Sequence, residues 1–401
     1  MRDSWTFVAL LGAALAAGGV APVASAEVTQ VAGPCEGSSN PTVFASNRRV
    51  AVTRGARVLS IFDPHGSGQQ LKWRDPGGPW RTDTRGVVSD GSFPEDAPGD
   101  RTGTVAIHPA GRRAWIVWSG TNATEYPVPV RMALLTKLDA PGGPRVAEVK
   151  TIAAVGRGKA RPDVAFERGP RSTLRGVVTW LARVGDLFHV VAGWFDPAPS
   201  GDLRVHHRTT VFRSRYGSAT QALVPTPAGM RIVANTGRGR VRMWRHRAGA
   251  RLGRWTAGRA NVAASRRARP SGVWVAPGRV TVSADAGAGV RLTTFSATGD
   301  RVRATKRVAG RRAPVITGGR RRAWAVMVRT SDGAIVSRRF VSGSGWSRRE
   351  SVEARGDDGM SSPNAVRTTR RRLRVLLQGD RCTATPKANE VLFLDRRVRP
   401  R

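Results

Sequence analysis

Between residues 237 and 255 the chain reads GRGRVRMWRHRAGARLGRW, with arginine at seven of nineteen positions and tryptophan at 244 and 255. A guanidinium is planar, permanently charged and forked in a way that matches phosphate, sulfate or carboxylate, and an indole beside it offers a flat face to a sugar or a base. On an extended strand successive side chains alternate, so Arg240, Arg242 and Trp244 share one face while Val241 and Met243 turn to the other, where they can be buried. The chemistry these residues suit is recognition of an anionic polymer, and the candidate binding set is Arg238, Arg240, Arg242, Trp244, Arg245 and Arg247. Further clusters follow at Arg266, Arg267 and Arg269, at Arg311 and Arg312, at Arg320 to Arg322, and at Arg370 to Arg372. The plain alternative for any one cluster is that turn arginines solvate loops while Trp244 and Trp255 pack between sheets.

Catalytic and metal-binding patterns are scarce. There is no G-x-S-x-G elbow, and His65, His108, His189, His206, His207 and His246 show no ligand spacing. His206 and His207 are adjacent on an expected strand and would point to opposite faces, which argues against joint chelation. The loop Ser89 to Asp100 collects Asp90, Glu95, Asp96 and Asp100, but their spacing matches no calcium loop and reads as a solvated acidic turn. No cofactor is implied, and the reading favours binding over catalysis.

The chain carries 67 Lys and Arg against 28 Asp and Glu, and 61 of the basic residues are arginine. Codon composition accounts for the choice of arginine over lysine but acts on the whole chain alike. Residues 1–200 carry 23 basic and 17 acidic groups, whereas residues 201–401 carry 44 and 11. A second half this cationic repels itself, which favours a bound polyanion.

Helix signals are nearly absent from the elements that must position these groups. Short runs of Val, Ile, Leu, Trp and Thr recur between Gly, Pro and Asp, so the chain is expected to be all-β. Similar openings begin at Pro41, Thr104, Pro162, Thr220, Pro270, Ala313 and Ser362, about 43 to 63 residues apart, each a short apolar strand, a Gly- or Arg-rich turn and a stronger alternating strand. That spacing suits the blades of a β-propeller, about seven and between six and eight, with the ring closed near the termini. Two packed β-sandwiches are the alternative. A propeller must join its first and last sheets, and Cys35 and Cys382, the two cysteines, stand where a disulfide would staple that seam.

The segment WAVMVRTSDGAIVSRRFVSGSGWS, Trp324 to Ser347, resembles the repeat of sialidase-like and lectin-type propellers of secreted bacterial proteins, in which a strand, an SDG-type turn, a strand and a glycine-plus-tryptophan turn recur. The resemblance covers one unit well and the others loosely, and it implies a fold. Ser331-Asp332-Gly333 lacks the spacing of a Ser-x-Asp-x-Gly-x-x-Trp box, so no active site carries over. A sialidase-type hydrolase would also need a tyrosine nucleophile, and neither Tyr126 nor Tyr216 lies in a recognisable motif.

Residues 1–26 have the grammar of a secretory signal peptide, with Arg2, an apolar run and Ala24-Ser25-Ala26 before Glu27. The remainder, 27–401, reads as one propeller domain without a transmembrane segment, secreted or envelope-associated and monomeric. The expected function is non-catalytic binding of an anionic polymer: a cell-wall glycan, an acidic polysaccharide or extracellular nucleic acid. The alternatives are a secreted carbohydrate-active enzyme, sialidase-like hydrolase or lyase, with its site in the central pocket, and a scaffold for protein partners.

Overall fold

The computed structural model describes residues 27–37, 49–62, 70–87, 103–119, 127–156, 160–169, 173–198, 203–275, 278–319, 321–354, 361–369, 372–379 and 389–397. The signal-like leader, His65, the acidic loop, Tyr126, Arg320, Arg370, Arg371 and Cys382 lie outside these residues.

The first described strand, β1 (Glu27–Gly37), does not join the strands that follow it. Sheet I is β2 (Val50–Val52), β3 (Val58–Phe62), β4 (Gln70–Arg74) and β5 (Arg81–Val87). Sheet II is β6 (Gly103–Ile107), β7 (Ala114–Ser119), β8 (Val128–Thr136) and β9 (Arg145–Val155). Sheet III is β10 (Asp163–Arg168), β11 (Leu174–Val184), β12 (Leu187–Phe195) and β13 (Val205–Ser214). Sheet IV is β14 (Thr220–Thr226), β15 (Gly229–Asn235), β16 (Arg240–Arg245) and β17 (Thr256–Ala263). Sheet V is β18 (Ser271–Val275), β19 (Arg279–Asp285), β20 (Gly289–Ser296) and β21 (Val302–Ala309). Sheet VI is β22 (Arg311–Gly319), β23 (Arg322–Arg329) and β24 (Ile335–Val341), with β25 (Gly345–Trp346) and β26 (Ser351–Ala354) sharing its outer edge. Sheet VII is β27 (Ser361–Thr369), β28 (Arg372–Gly379) and β29 (Asn389–Arg397), completed on its outer edge by β1.

The strands described thus gather into seven antiparallel sheets. Their first strands touch in cyclic order, β2 to β6, β10, β14, β18, β22, β27 and back to β2, so the sheets stand around an axis as a β-propeller. Six of the seven sequence openings fall on or within two residues of a first strand, from β6 at Gly103 to β27 at Ser361. The seam is closed by the β1–β29 ladder, which runs from Glu27 opposite Asp395 to Gly37 opposite Asn389. The sequence assigns this closure to a Cys35–Cys382 disulfide. Cys35 lies on β1, and the closure described is made of backbone hydrogen bonds from that strand.

Each sheet grades from apolar inside to polar outside, and that gradient is written in its strands. Second strands such as β7 (AWIVWS) and β15 (GMRIVAN) are buried along their whole length, because both of their faces meet a neighbouring sheet. Fourth strands such as β21 (VRATKRVA) are mostly exposed. The outermost pairings of sheets I to V all carry a register shift, which twists an exposed edge away from edge-to-edge association. Consequently the core is a set of layers between sheets. Leu59, Trp73 and Trp118 fill the layer from I to II; Trp115, Trp180 and Phe195 fill II to III; Trp194, Ile232 and Trp244 fill III to IV; Val280 and Phe295 belong to IV to V.

Part of the arginine excess is consumed in joining these layers. Arg57, buried at the start of β3, pairs with Asp75 and donates through Nη1 to the carbonyls of Leu138 and Ala140 in sheet II, both at 2.7 Å. Arg231 on β15 reaches sheet V in the same way, with Nε 2.8 Å from the carbonyl of Ala297, while Nη1 serves the carbonyls of Met230 and His246. Burial, and then the nearby charge of Arg245, lowers the Arg231 pKa to about 10, so it remains a cation at neutral pH. Arg208 spans sheets III and II by donating to the carbonyl of Ile152 at 2.6 Å. A guanidinium suits this task because several donors leave one group in fixed directions. Replacing Arg231 by Met keeps the stem but takes the donor from the carbonyls of Ala297 and His246, while that of Met230 keeps the His246 N–H; urea unfolding is expected to show a loss of about 2–3 kcal/mol, against less than about 0.5 kcal/mol for the exposed Arg303→Gln.

Candidate functional site

Adjacent strands run in opposite directions, so the turns of each sheet alternate between the two faces of the ring. The turns that join first to second and third to fourth strands lie on one face; the turns joining second to third strands, and the connections between sheets, lie on the other. The arginine clusters divide accordingly. Arg238, Arg266, Arg267, Arg269, Arg311 and Arg312 sit on the second face, while Arg321 and Arg322 occupy the β22–β23 turn on the first. Strand direction thus divides the clusters between the two faces of the ring, and they form no single arc.

On the second face, between sheets III and IV, lies a cleft of about 560 Å³ lined by Arg213, Arg215, Arg238, Arg240, Arg242, Leu187, Phe212, Ser214, Thr236, Asn261 and Trp244. β16 delivers Arg240, Arg242 and Trp244 to it from one face of the strand, while Val241 and Met243 are buried on the other against sheet V. The β15–β16 turn, with Gly237 at φ 80° and Gly239 at φ 72°, delivers Arg238. Gly237 is required by space as well as by dihedral, since a Cβ there would sit 2.4 Å from Tyr216 Cβ. Ser214 Oγ donates to the carbonyl of Thr236 at 2.7 Å and ties the two walls together.

The electrostatics of the cleft are one-sided. Five arginines line it and none of its lining residues is a carboxylate. Arg240 donates to Asn261 Oδ1 at 3.3 Å, and Arg242 donates through Nε to the carbonyl of Gly258 at 2.7 Å, which leaves its remaining N–H groups available. Arg213 also pushes the pKa of His189 down, second to burial, so that ring stays neutral at neutral pH. At the back, Phe212 and Trp244 stack with centroids 4.3 Å apart and planes 14° apart, and the Arg242 guanidinium lies 5.8 Å from the Trp244 ring. This arrangement can hold an anion against a flat apolar surface; it has no acid–base pair.

Two members of the expected set are placed elsewhere, and Trp244 has a different role. Arg245 belongs to the opposite face of β16 and approaches Asp300 of the sheet V turn at 3.7 Å. Arg247 is exposed beyond the far end of β16, a strand roughly 17 Å long, and so on the other face of the ring. Trp244 is only 6% exposed and belongs to the layer between sheets III and IV, so it forms the floor of the cleft as core. Trp255 packs on Trp194 and on His246. His246 is itself fully buried, 3.1 Å from Glu167, which also accepts from Trp194 Nε1 at 2.9 Å. The strand pattern misses Phe212, Arg213 and Arg215, which come from the neighbouring sheet. Their signal is present, since FRSRY at the end of β13 repeats the arginine-spacer-arginine beside an aromatic seen in RVRMW.

The other residues singled out have structural work. Asp332 pairs with Arg329, accepts from the Ala334 N–H at 3.1 Å, and is lowered to about 2 by Arg329, so the SDG segment shapes the β23–β24 turn. His206 and His207 are both exposed on β13, and His207 packs on Trp194. Among the described residues no cluster of three metal-ligating side chains occurs, and no helix is long and apolar enough to cross a membrane. The equivalent groove between sheets IV and V, lined by Val241, Val282, Arg291 and Phe295, holds only about 10 Å³.

No protein-family model matches the chain, and no curated protein matches it by sequence. Solved structures do. The BP39L lectin from Burkholderia pseudomallei superposes with a TM-score of 0.59 at 11% identity, covering 92% of this chain and 95% of that one. A fungal lectin from Aleuria aurantia, described as a six-bladed β-propeller with a novel fucose recognition mode, gives a TM-score of 0.46 at 10% identity over 78% of this chain and 98% of that one. A protein of unknown function from Dyadobacter fermentans gives 0.48 at 12% identity over 93% and 99%. The likeness to the BP39L lectin agrees with the β-propeller that the sheet order defines.

The geometry separates folding from binding within one strand. Trp244→Ala is expected to cost about 3–4 kcal/mol in urea unfolding, because it empties a buried, stacked position. Arg238→Gln, exposed on the turn, is expected to stay within about 0.5 kcal/mol of the parent protein.

Proposed function

We propose that this protein is a non-catalytic binding protein, exported through its signal-like leader, that recognises an anionic glycan or related polymer in the cleft between sheets III and IV. The observation that carries the reading is the convergence of Arg213, Arg215, Arg238, Arg240 and Arg242 on one cleft backed by the Phe212–Trp244 stack. Guanidinium forks supply the affinity for phosphate, sulfate or carboxylate, and the half-buried Phe212 supplies an apolar patch for a sugar ring. The missing carboxylate pair among the lining residues supports binding over glycoside hydrolysis, which needs an acid and a base or nucleophile flanking the bond. The fold it shares with the BP39L lectin supports a carbohydrate as the partner.

The test is retention on immobilised heparin and on purified cell wall across a salt gradient. The variant Arg213→Gln/Arg215→Gln/Arg238→Gln/Arg240→Gln removes four exposed cleft cations; the control Arg247→Gln/Arg254→Gln/Arg303→Gln/Arg307→Gln removes the same charge elsewhere. The cleft variant is expected to elute at clearly lower salt than the control, with a shallower dependence of log affinity on log salt, by about one for each ion pair to the polymer that it can no longer make. Equal weakening in the two variants would show that retention follows net charge, and the assignment to this cleft would fall.

A further inference from the structure

A second cleft, of about 670 Å³, opens on the opposite face of the ring between sheets II and III. Its lining residues are His108, Ala110, Arg112 and Arg113 on the β6–β7 turn, Thr136 at the end of β8, Thr173 and Leu174 at the β10–β11 turn, and Asp196, Pro197 and Ala198 on the β12–β13 turn. Its composition differs from that of the arginine cleft. Leu174, Pro197 and the two alanines give apolar surface, and the charged lining groups are Arg112, Arg113 and Asp196.

Both walls are already fixed. On the β6–β7 turn the His108 N–H donates to the carbonyl of Arg113 at 2.9 Å and the Gly111 N–H to the carbonyl of His108 at 2.7 Å. Gly111 has φ 77°, and a Cβ there would fall 2.5 Å from Arg54 Cγ, so Arg54 of sheet I holds the turn from behind. On the facing turn Asp196 accepts from the Ala198 N–H at 2.9 Å, so that carboxylate is engaged in its own turn. The His108 ring packs edge-on to Phe166 at 5.7 Å and near Trp115 at 6.0 Å. Its Nδ1 accepts from the Ala110 N–H at 3.1 Å, so the neutral ring carries its proton on Nε2, the nitrogen left to donate.

We propose that this cleft binds a small carboxylate with an apolar face, with the carboxylate on Arg112 and Arg113 and the apolar face against Leu174 and Pro197. Two guanidiniums against one engaged carboxylate leave the site cationic, and the apolar wall distinguishes it from a site for a free inorganic anion. The behaviour of His108 agrees: burial first, then the charge of Arg113, lowers its pKa below the ordinary value, which is how a neutral imidazole responds to positive potential. An anion in the cleft cancels part of that potential and favours the imidazolium. By linkage, carboxylate binding raises the His108 midpoint, and affinity rises as pH falls through that midpoint. This site does not depend on the reading of the arginine cleft.

The experiment is a proton NMR titration of the full chain with benzoate and its neutral isostere benzamide, following the His108 Cε1–H signal, identified by its loss in His108→Gln. Benzoate is expected to shift this signal and to move its pH midpoint upward, with benzamide binding about tenfold more weakly, the size of a modest charge-assisted contact. In Arg112→Gln/Arg113→Gln the preference for benzoate should vanish while weak ring binding persists. Equal binding of the two probes, or a preference that survives the double variant, overturns the proposal. So does a His108 signal unmoved by benzoate, or benzoate binding abolished in Arg238→Gln/Arg240→Gln instead, which would assign the anion to the arginine cleft.

Discussion

Everything in this molecule rests on closing the ring. No single sheet here has a core of its own: its second strand is apolar on both faces and is buried only because a sheet stands on each side. Six neighbouring pairs follow from chain order, but the seventh has to be made between distant segments. β1 makes it by adding an outer strand to β27, β28 and β29, and Phe62 and Phe393 then complete the layer between sheets VII and I. A propeller left open at that seam would expose two apolar sheet faces, so the β1–β29 ladder carries the stability of layers far from it.

The same geometry explains how so cationic a chain folds. Desolvating a guanidinium is costly unless its donors are satisfied, and the ring offers carbonyls at every turn for the purpose. Arg57 and Arg231 occupy corresponding places, each at a second strand and each reaching the third-to-fourth turn of the next sheet. Arginine thus serves two unlike ends, as a fastener between sheets where it is buried and as a ligand group where it lines a cleft. Counting charge alone could not separate these, since both uses raise the net charge equally.

How legible this was in the sequence depended on the range of the interaction. The repeat openings were readable because burial on both faces of a second strand writes an uninterrupted apolar run, and glycine and proline punctuate it. The face of β16 was readable because alternation is local; the same rule sets Arg245 beside Met243 and away from Arg242, and the grouping of Arg245 with the cleft overlooked it. Phe212, Arg213 and Arg215 escaped because they enter the site across a sheet-to-sheet contact, which no spacing along one strand encodes. The carbonyl clamps of Arg57, Arg208 and Arg231 were hidden for the same reason, and the second cleft was hidden because its walls come from turns of two sheets.

The pairing of β1 with β29 has a consequence for the timing of folding. Hairpins within a sheet form from neighbouring segments as soon as both are available, but β1 acquires its partner only after every other sheet has been synthesised. During synthesis the chain is therefore an open arc whose terminal faces have no cover. A fold that cannot lock until β29 has been made leaves its two end sheets free to rearrange until then. The late ladder acts as a latch, set by the order in which the chain is made.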